Sequence, residues 1–312
     1  MSPPIQSIVA GVGELAGHDP ALAVALDLAA RTGAHLVVVH AFELPQLFSM
    51  SPGIEMAFPE GSEEYRAQVQ HRLESFVRAQ RGAAGAECHA LPGPAPHVLA
   101  EVAERVRADV LVVGAARASR LEQKILGTTA QRVLRSARVP VLVVRSSVRW
   151  PAERVLLTSD LSDLSAAVHE RAMEVLGAAY PLEEFDFHSL LVLMFGVAPP
   201  LSRETLLHGA RSELERFLAE RRRGARPPLP VVRMGDAARE IVAEAGVWGA
   251  DLLVLGTHAR RGVPRLWLGS VAEACMRDAP CNILAIPPEP VDAAAPGALA
   301  RSEPGVPAGV GA

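Results

Sequence analysis

Ala108-Asp-Val-Leu-Val-Val-Gly114 and Ala250-Asp-Leu-Leu-Val-Leu-Gly256 are one segment written twice, with five of seven positions identical at an offset of 142 residues. The same ungapped offset pairs Gly93 with Gly235, Gly127 with Gly269, Ala130 with Ala272, Arg135 with Arg277 and Leu142 with Leu284. Solenoid units repeat every ~20–50 residues, so a period this long is that of a whole domain. The chain reads as a tandem duplication. Each copy of the segment is apolar at successive positions and ends on glycine. That is the pattern of a strand buried on both faces of a parallel sheet.

Outward from these segments, strand and helix signals alternate. In the first copy, residues 5–12 form an apolar run suited to a strand. Asp19-Pro20 then offers a helix N-cap followed by proline at the first helical position. Leu22, Ala25, Leu26 and Ala29 give that helix one apolar face, and Tyr65, Val69, Leu73 and Phe76 recur at helical spacing. Strands are expected at 36–39, 88–91, 110–113 and 141–144, with helices at 96–106 and 128–136. The second copy repeats the order: strands at 155–158, 190–195, 230–234, 252–255 and 283–286, with helices ending near 176, over 205–221, ending near 247 and over 270–277. Asp109 and Asp251 precede strands and read as turn or helix-end residues. The fold class is α/β, with two tandem five-stranded parallel-sheet domains. Their expected bounds are residues 1–147 and 150–288, meeting at Trp150-Pro151, and residues 289–312 read as a disordered tail rich in Pro, Ala and Gly.

Composition narrows the function. The 312 residues are 49% hydrophobic and 21% charged, which suffices for two packed cores. A net charge of −4 and an aromatic content of 4% argue against nucleic-acid binding through a basic field or stacking platforms. Cys88, Cys275 and Cys281 are too few for a disulfide framework and suit a reducing compartment. The longest apolar run, near residues 190–198, is far short of a bilayer span. The N-terminus lacks the basic and apolar regions of a signal peptide. The expectation is a cytoplasmic protein without membrane or nucleic-acid partners.

In an open parallel sheet, ligands bind beyond the carboxyl ends of the strands, where the strand order reverses. In the second copy, the fourth strand is followed by Gly256-Thr-His-Ala-Arg-Arg-Gly262, and Gly269-Ser270 then opens a helix. A helix N-terminus presents unpaired N–H groups and a partial positive charge, which suits phosphate. Gly269 admits close approach of a ligand to the backbone, and Ser270 adds a hydroxyl. Arg260, Arg261 and Arg265 lie in the same loop and can neutralise anionic oxygens. Thr158 closes the first strand of this copy, and Asp160 follows it with a carboxylate able to accept from a base or ribose.

The spacing from Gly256 to Gly269-Ser270, with Asp160 after the first strand, resembles the universal stress protein family. So does the wording of Leu268-Gly-Ser-Val-Ala-Glu-Ala274 and Asp278-Ala-Pro-Cys281. The resemblance covers roughly residues 5–145 and 153–287. It implies an adenine nucleotide alpha hydrolase-like, Rossmann-like fold in each half, the halves packing as a pseudo-dimer through their last strands. Some members of the family bind ATP at the switch point. Carried over, Thr158, Asp160, Phe195, Gly256, Thr257, Arg260, Gly269, Ser270 and Val271 become the expected nucleotide-binding residues. Asp160 would read base or ribose, the backbone of Phe195 would meet adenine, and Gly256 and Thr257 would line the ribose. Arg260, Gly269, Ser270 and Val271 would hold phosphates. The ligand would be ATP, with or without Mg2+, and no metal is bound by the protein itself. Ala259 departs from the pattern at its second glycine. In the first copy Gly13 replaces the aspartate and Arg117 the second glycine, while Gly114 and Gly127-Thr128 remain. Arg117 either fills that pocket or meets phosphate; a degenerate pocket is the simpler reading. The expectation is one nucleotide site per chain, in the second copy, in a stress-response regulatory protein with an unidentified protein partner and further homodimerisation open.

Other motifs carry less. Gly11-Val-Gly13-Glu-Leu-Ala16 fits a dinucleotide fingerprint, but the helix signal starts only at Asp19-Pro20. Neither a P-loop nor a Gly-x-Ser-x-Gly elbow is present. His258 either touches phosphate or is solvated in its loop, and the ten histidines show no ligand spacing. Arg221, Arg222 and Arg223 suit a solvated helix end. The connection at 43–61 reads as a lid, a partner surface or a poorly ordered loop. No general base or nucleophile stands out, so any ATP turnover is expected to be slow. The alternatives are a nucleotide-free interaction module of the same fold and a dinucleotide-dependent enzyme using residues 11–16.

Overall fold

The computed structural model describes residues 5–43, 59–115, 128–145, 148–194, 202–220, 227–257 and 269–288. The first repeat runs β1 (Ser7–Gly11), α1 (Pro20–Thr32), β2 (His35–Phe42), α2 (Pro59–Arg78), β3 (Glu87–Pro92), α3 (Ala95–Arg105), β4 (Val110–Gly114), α4 (Thr128–Ser136) and β5 (Val141–Val144). The second runs β6 (Arg154–Ser159), α5 (Asp163–Ala179), β7 (Asp186–Leu193), α6 (Arg203–Ala219), β8 (Leu229–Met234), α7 (Ala237–Trp248), β9 (Leu252–Gly256), α8 (Ser270–Asp278) and β10 (Asn282–Ile286). A short 3₁₀ turn, Leu182–Glu184, precedes β7.

The ten strands form one sheet in the order β3-β2-β1-β4-β5-β10-β9-β6-β7-β8. Strand pairing is parallel within each repeat. At the join, β5 and β10 run antiparallel, with Val143 opposite Ile283 and Leu142 opposite Leu284. The last strands of the two repeats therefore meet about a pseudo-twofold axis.

Registry fixes the correspondence between repeats. Ser7 pairs with His35 as Arg154 pairs with Asp186, so Gly11 stands where Thr158 does and Gly13 where Asp160 does. Both repeats carry the same device at the foot of this pair of strands. Asp109 Oδ2 accepts from the N–H groups of Gln6 (2.7 Å) and Ser7 (3.1 Å). Asp251 Oδ2 accepts from those of Glu153 (2.9 Å) and Arg154 (3.0 Å). Each aspartate thus locks the first strand of its repeat beside the fourth, a role beyond that of a turn residue.

Helices cover both faces of the sheet. On one face α1 and α5 share a core with Ile8, Val38, Val112, Leu142, Val155 and Val254. On the other, α3, α4, α7 and α8 bury Val9, Leu111, Val143, Leu253 and Ile283. Both cores run across the join. Full burial of one such aliphatic side chain contributes about 1.5–3 kcal/mol. Over the join the Tyr180 hydroxyl donates to Asp27, and the Arg31 guanidinium lies 4.7 Å above the Tyr180 ring. Burial, then the Asp27 contact, raises the Tyr180 pKa.

Local chemistry explains the boundaries. Asp19 caps α1 by accepting from the Leu22 N–H at 3.0 Å, and Gly33, at φ 71°, ends it in the left-handed conformation. Several boundaries differ from the sequence expectation, among them the end of β2, at Phe42 rather than 39, and the end of α5, at Ala179 rather than near 176. β7 begins at Asp186, because Phe187 and Ser189 are already buried at alternate positions ahead of the apolar run that starts at Leu190. It ends at Leu193, two residues before Phe195. α2 begins at Pro59, inside the expected 43–61 connection. The tail 289–312 and the cluster at Arg221 to Arg223 lie outside the described residues. Among the described residues no helix is long and apolar enough to cross a membrane.

Candidate functional site

β6 leads through α5 to β7 on one side, and β9 leads through α8 to β10 on the other. The crevice between the carboxyl ends of β6 and β9 is therefore the switch point of the second repeat. It holds a cavity of about 240 Å³. Leu190, Val192, Ile241, Leu255, Ala272 and Cys275 line its apolar floor, and Thr158, Asp160, Gly256, Thr257, Gly269, Ser270 and Val271 lie around it. Seven of the nine residues expected from the sequence thus converge on one crevice. Phe195 and Arg260 lie outside the described residues, as do His258, Ala259, Arg261 and Arg265.

The acidic side of the crevice is a tight turn. Leu161, directly after Asp160, adopts φ 63°, a left-handed conformation costly for a leucine. The turn is held by its own side chains. Asp160 Oδ1 accepts from both the N–H (3.0 Å) and the hydroxyl of Ser162. Ser162 in turn caps α5 by accepting from the Ser165 N–H at 3.2 Å. Burial pushes the Asp160 pKa up, but the hydrogen bonds from Ser162 outweigh it and hold the carboxyl below its ordinary value. Asp160 is therefore ionised at neutral pH. Behind it, Thr158 Oγ1 donates to the Val254 carbonyl at 3.1 Å, which ties β6 to β9 directly under the crevice.

The opposite side is the start of α8. The Gly269 N–H donates to the Thr257 carbonyl at 2.9 Å, so the two ends of the 258–268 connection are pinned together. The Gly269 carbonyl accepts from the Glu273 N–H at 2.8 Å and opens the helix. Gly269 makes no side-chain cap, which leaves the amides of the first turn to the crevice. Its φ is −60°, and an added Cβ would lie 3.6 Å from the Thr257 oxygen, an ordinary contact. The chain itself does not demand glycine here; what glycine leaves is room in front of the helix.

Cys275, on the cavity floor, and Cys281 are fully buried, and burial pushes both thiols up to about 12. They are apolar filling at neutral pH, not nucleophiles. Among the described residues no cluster of three or more His, Cys, Asp or Glu side chains is fit to hold a metal ion.

The first repeat is built differently at the same place. A Cβ on Gly11 would come within 2.8 Å of Leu99 Cδ1, so α3 lies directly on the strand end. Gly13 supplies no carboxylate at the position of Asp160. The glycine fingerprint at 11–16 does not open a helix, since α1 starts at Pro20. Arg117 lies outside the described residues.

Fold and site together define a class: a tandem, doubly wound α/β protein with an open crevice at the switch point of its second repeat. The sequence pattern of the Universal stress protein family matches residues 4–145 and again 151–287. The chain belongs to the universal stress protein family. Universal stress protein Rv2319c of Mycobacterium tuberculosis is 29% identical over 207 residues, which cover 61% of this chain and 68% of that protein. Universal stress protein MJ0531 of Methanocaldococcus jannaschii is 38% identical over 144 residues, 43% of this chain and 81% of that protein. Among solved structures, a putative universal stress protein from Pseudomonas aeruginosa UCBPP-PA14 superposes with a TM-score of 0.65 at 18% identity, covering 91% of this chain and 94% of that one. At that identity the likeness is one of fold.

Proposed function

We propose that the second repeat, residues 150–288, binds an adenine nucleotide, ATP by preference, as a regulatory module in a stress response. The first repeat, residues 1–147, is its structural partner, and residues 289–312 are a tail. The observation that carries this reading is the pairing of an apolar slot with an anion-ready rim. The cavity floor is aliphatic and suits a base, while the α8 N-terminus with Gly269 and Ser270 suits phosphate oxygens. Asp160, ionised and already turned around Ser162, stands at the rim to accept from ribose or base. Its negative charge is better placed beside hydroxyls than beside phosphates. Phe195 and Arg260 complete the proposed set from the family resemblance, and Mg2+ would arrive on the phosphates. The module acts in the cytoplasm on a protein partner.

The described residues supply no activated nucleophile at the crevice: burial holds the Cys275 thiol on its floor protonated, and Ser162 is occupied as a helix cap. The chain accordingly serves as a binding module with at most slow hydrolysis. Titration calorimetry of the intact chain with ATP, ADP and AMP tests the reading. Saturable heat with ATP, lost in Gly269→Asp, is the expected result; no heat near millimolar nucleotide overturns it. One observation favours the rival, a nucleotide-free interaction module. Asp160 spends Oδ1 on its own turn, so part of the expected ligand contact is already taken.

A further inference from the structure

The join between the repeats grips one wall of this crevice. Arg145, directly after β5, is only 5% exposed. Its Nε donates to the Cys281 carbonyl at 3.1 Å, and its Nη2 to the Met276 carbonyl at 3.0 Å. Its backbone N–H donates to Asn282 Oδ1 at 2.9 Å, and Asn282 Nδ2 reaches back to the Arg149 carbonyl at 3.3 Å. Burial lowers the Arg145 pKa, yet a guanidinium remains protonated. A cation from the first repeat is thus held against the last turn of α8, where helix carbonyls lack partners and the dipole is negative. Nearer the start of α8, Glu273 pairs with Arg135 of α4 at 2.6 Å.

The repeat offset shows that this grip runs one way. Arg145 corresponds to Pro287, which has no donor to offer α4. Arg135 corresponds to Arg277, which turns instead to its neighbour Asp278 at 3.1 Å. Glu273 corresponds to Gln131, which carries no charge. Among the described residues, the first repeat holds the helix of the second repeat's crevice at both ends through Arg145 and Arg135, while the counterparts of Arg145 and Glu273, Pro287 and Gln131, carry no charge. α8 has nine residues, so its axis is set by what fixes its two ends.

We propose that Arg145 is a positioning residue for the ligand site. By holding the Met276 and Cys281 carbonyls it fixes α8, and so fixes where Gly269, Ser270 and Val271 present their amides. The repeat with the degenerate cleft is retained as the support of the other. For its ligand, this inference rests on the nucleotide reading given above.

ATP titrations of the intact chain, each beside a thermal melt and hydrogen exchange at residues 273–276, test it in Arg145→Met, Arg145→Lys and Arg135→Glu. Arg145→Met is expected to weaken ATP binding about tenfold, in the range of residues that couple to a site without touching its ligand. Exchange at residues 273–276 rises, while that of β6 and β7 does not. Arg145→Lys keeps the charge but not the fork and falls between. Arg135→Glu weakens binding less, and adding Glu273→Arg restores it, a rescue that general loss of stability does not give. Unchanged affinity and unchanged α8 exchange in folded Arg145→Met overturn the proposal. Should that variant not fold, the same result in Arg145→Lys and Arg135→Glu does so. Absence of ATP heat in the unaltered chain overturns the nucleotide reading instead, and the exchange measurement alone then decides whether Arg145 positions α8.

Discussion

The Asp160 carboxylate is an acceptor before any ligand arrives, since Ser162 donates to it twice. This has a consequence for stability. A carboxyl whose pKa is lower in the folded than in the unfolded chain stabilises the fold fully above its unfolded value, here near 3.8, and the contribution is lost as pH falls through the folded value. Asp160→Asn removes the ionised form. Urea midpoints of parent and variant are expected to differ by a constant amount at about pH 5–7 and to converge on acidification below 3.8. A gap that widens in acid would show that the charge is a burden on the fold. The matching position in the first repeat, Gly13, has no such carboxylate. There, too, Leu99 stands against Gly11, where in the second repeat Ile241 lines an open cavity.

At the scale of elements, the crevice depends on the spacing of β6 and β9, and Asp251 sets it from below. Its Oδ2 accepts two backbone N–H groups from the β6 entry. Asp251→Ala leaves them without that acceptor and is expected to cost about 1–3 kcal/mol in urea unfolding. Asp251→Asn, which keeps an acceptor oxygen, should cost less. Equal losses in the two variants would mean that the bonds contribute nothing beyond the charge. This clamp also marks how far the sequence could be read. The bounds of α4, 128–136, and of β5, 141–144, follow from local pattern alone, because helix spacing and an unbroken apolar run are local signals. The pairing of Asp251 with β6 is not local: donor and acceptor lie 98 residues apart. Arg145 is harder still. Its partners are 131 to 137 residues away, on the other repeat, and neither its own neighbours nor its counterpart Pro287 hints at them. Seven crevice residues were legible because the strand-end loops and the helix start carry a motif that resembles the family's, with its glycine-serine turn and its aspartate; their support was not, because it comes from across the join.

On the scale of the whole molecule, the join decides how ligand energy spreads. β5 and β10 make the sheet continuous, and Leu142 and Leu284, each almost fully buried, face each other there. Both cores cross the join, and Arg145 adds buried hydrogen bonds to the same place. Opening either repeat would strip an apolar strand edge and leave a buried guanidinium without its carbonyls, a cost that favours unfolding both together. The chain is therefore expected to unfold in one transition, with circular dichroism and the fluorescence of Trp150 and Trp248 coincident. A ligand bound only to the folded second repeat then stabilises the entire chain by about 2.7 kcal/mol at a concentration of 100 Kd. Hydrogen exchange reads this directly. At that ATP concentration the slowest amides of β1 and β4, in the repeat without the crevice, should gain the same protection as those of β6 and β9. Leu142→Ala, which hollows the join, should uncouple them, so that protection rises in the second repeat alone. If β1 and β4 ignore the ligand in the parent chain, the two halves are independent domains that merely touch, and the single sheet carries no energy between them.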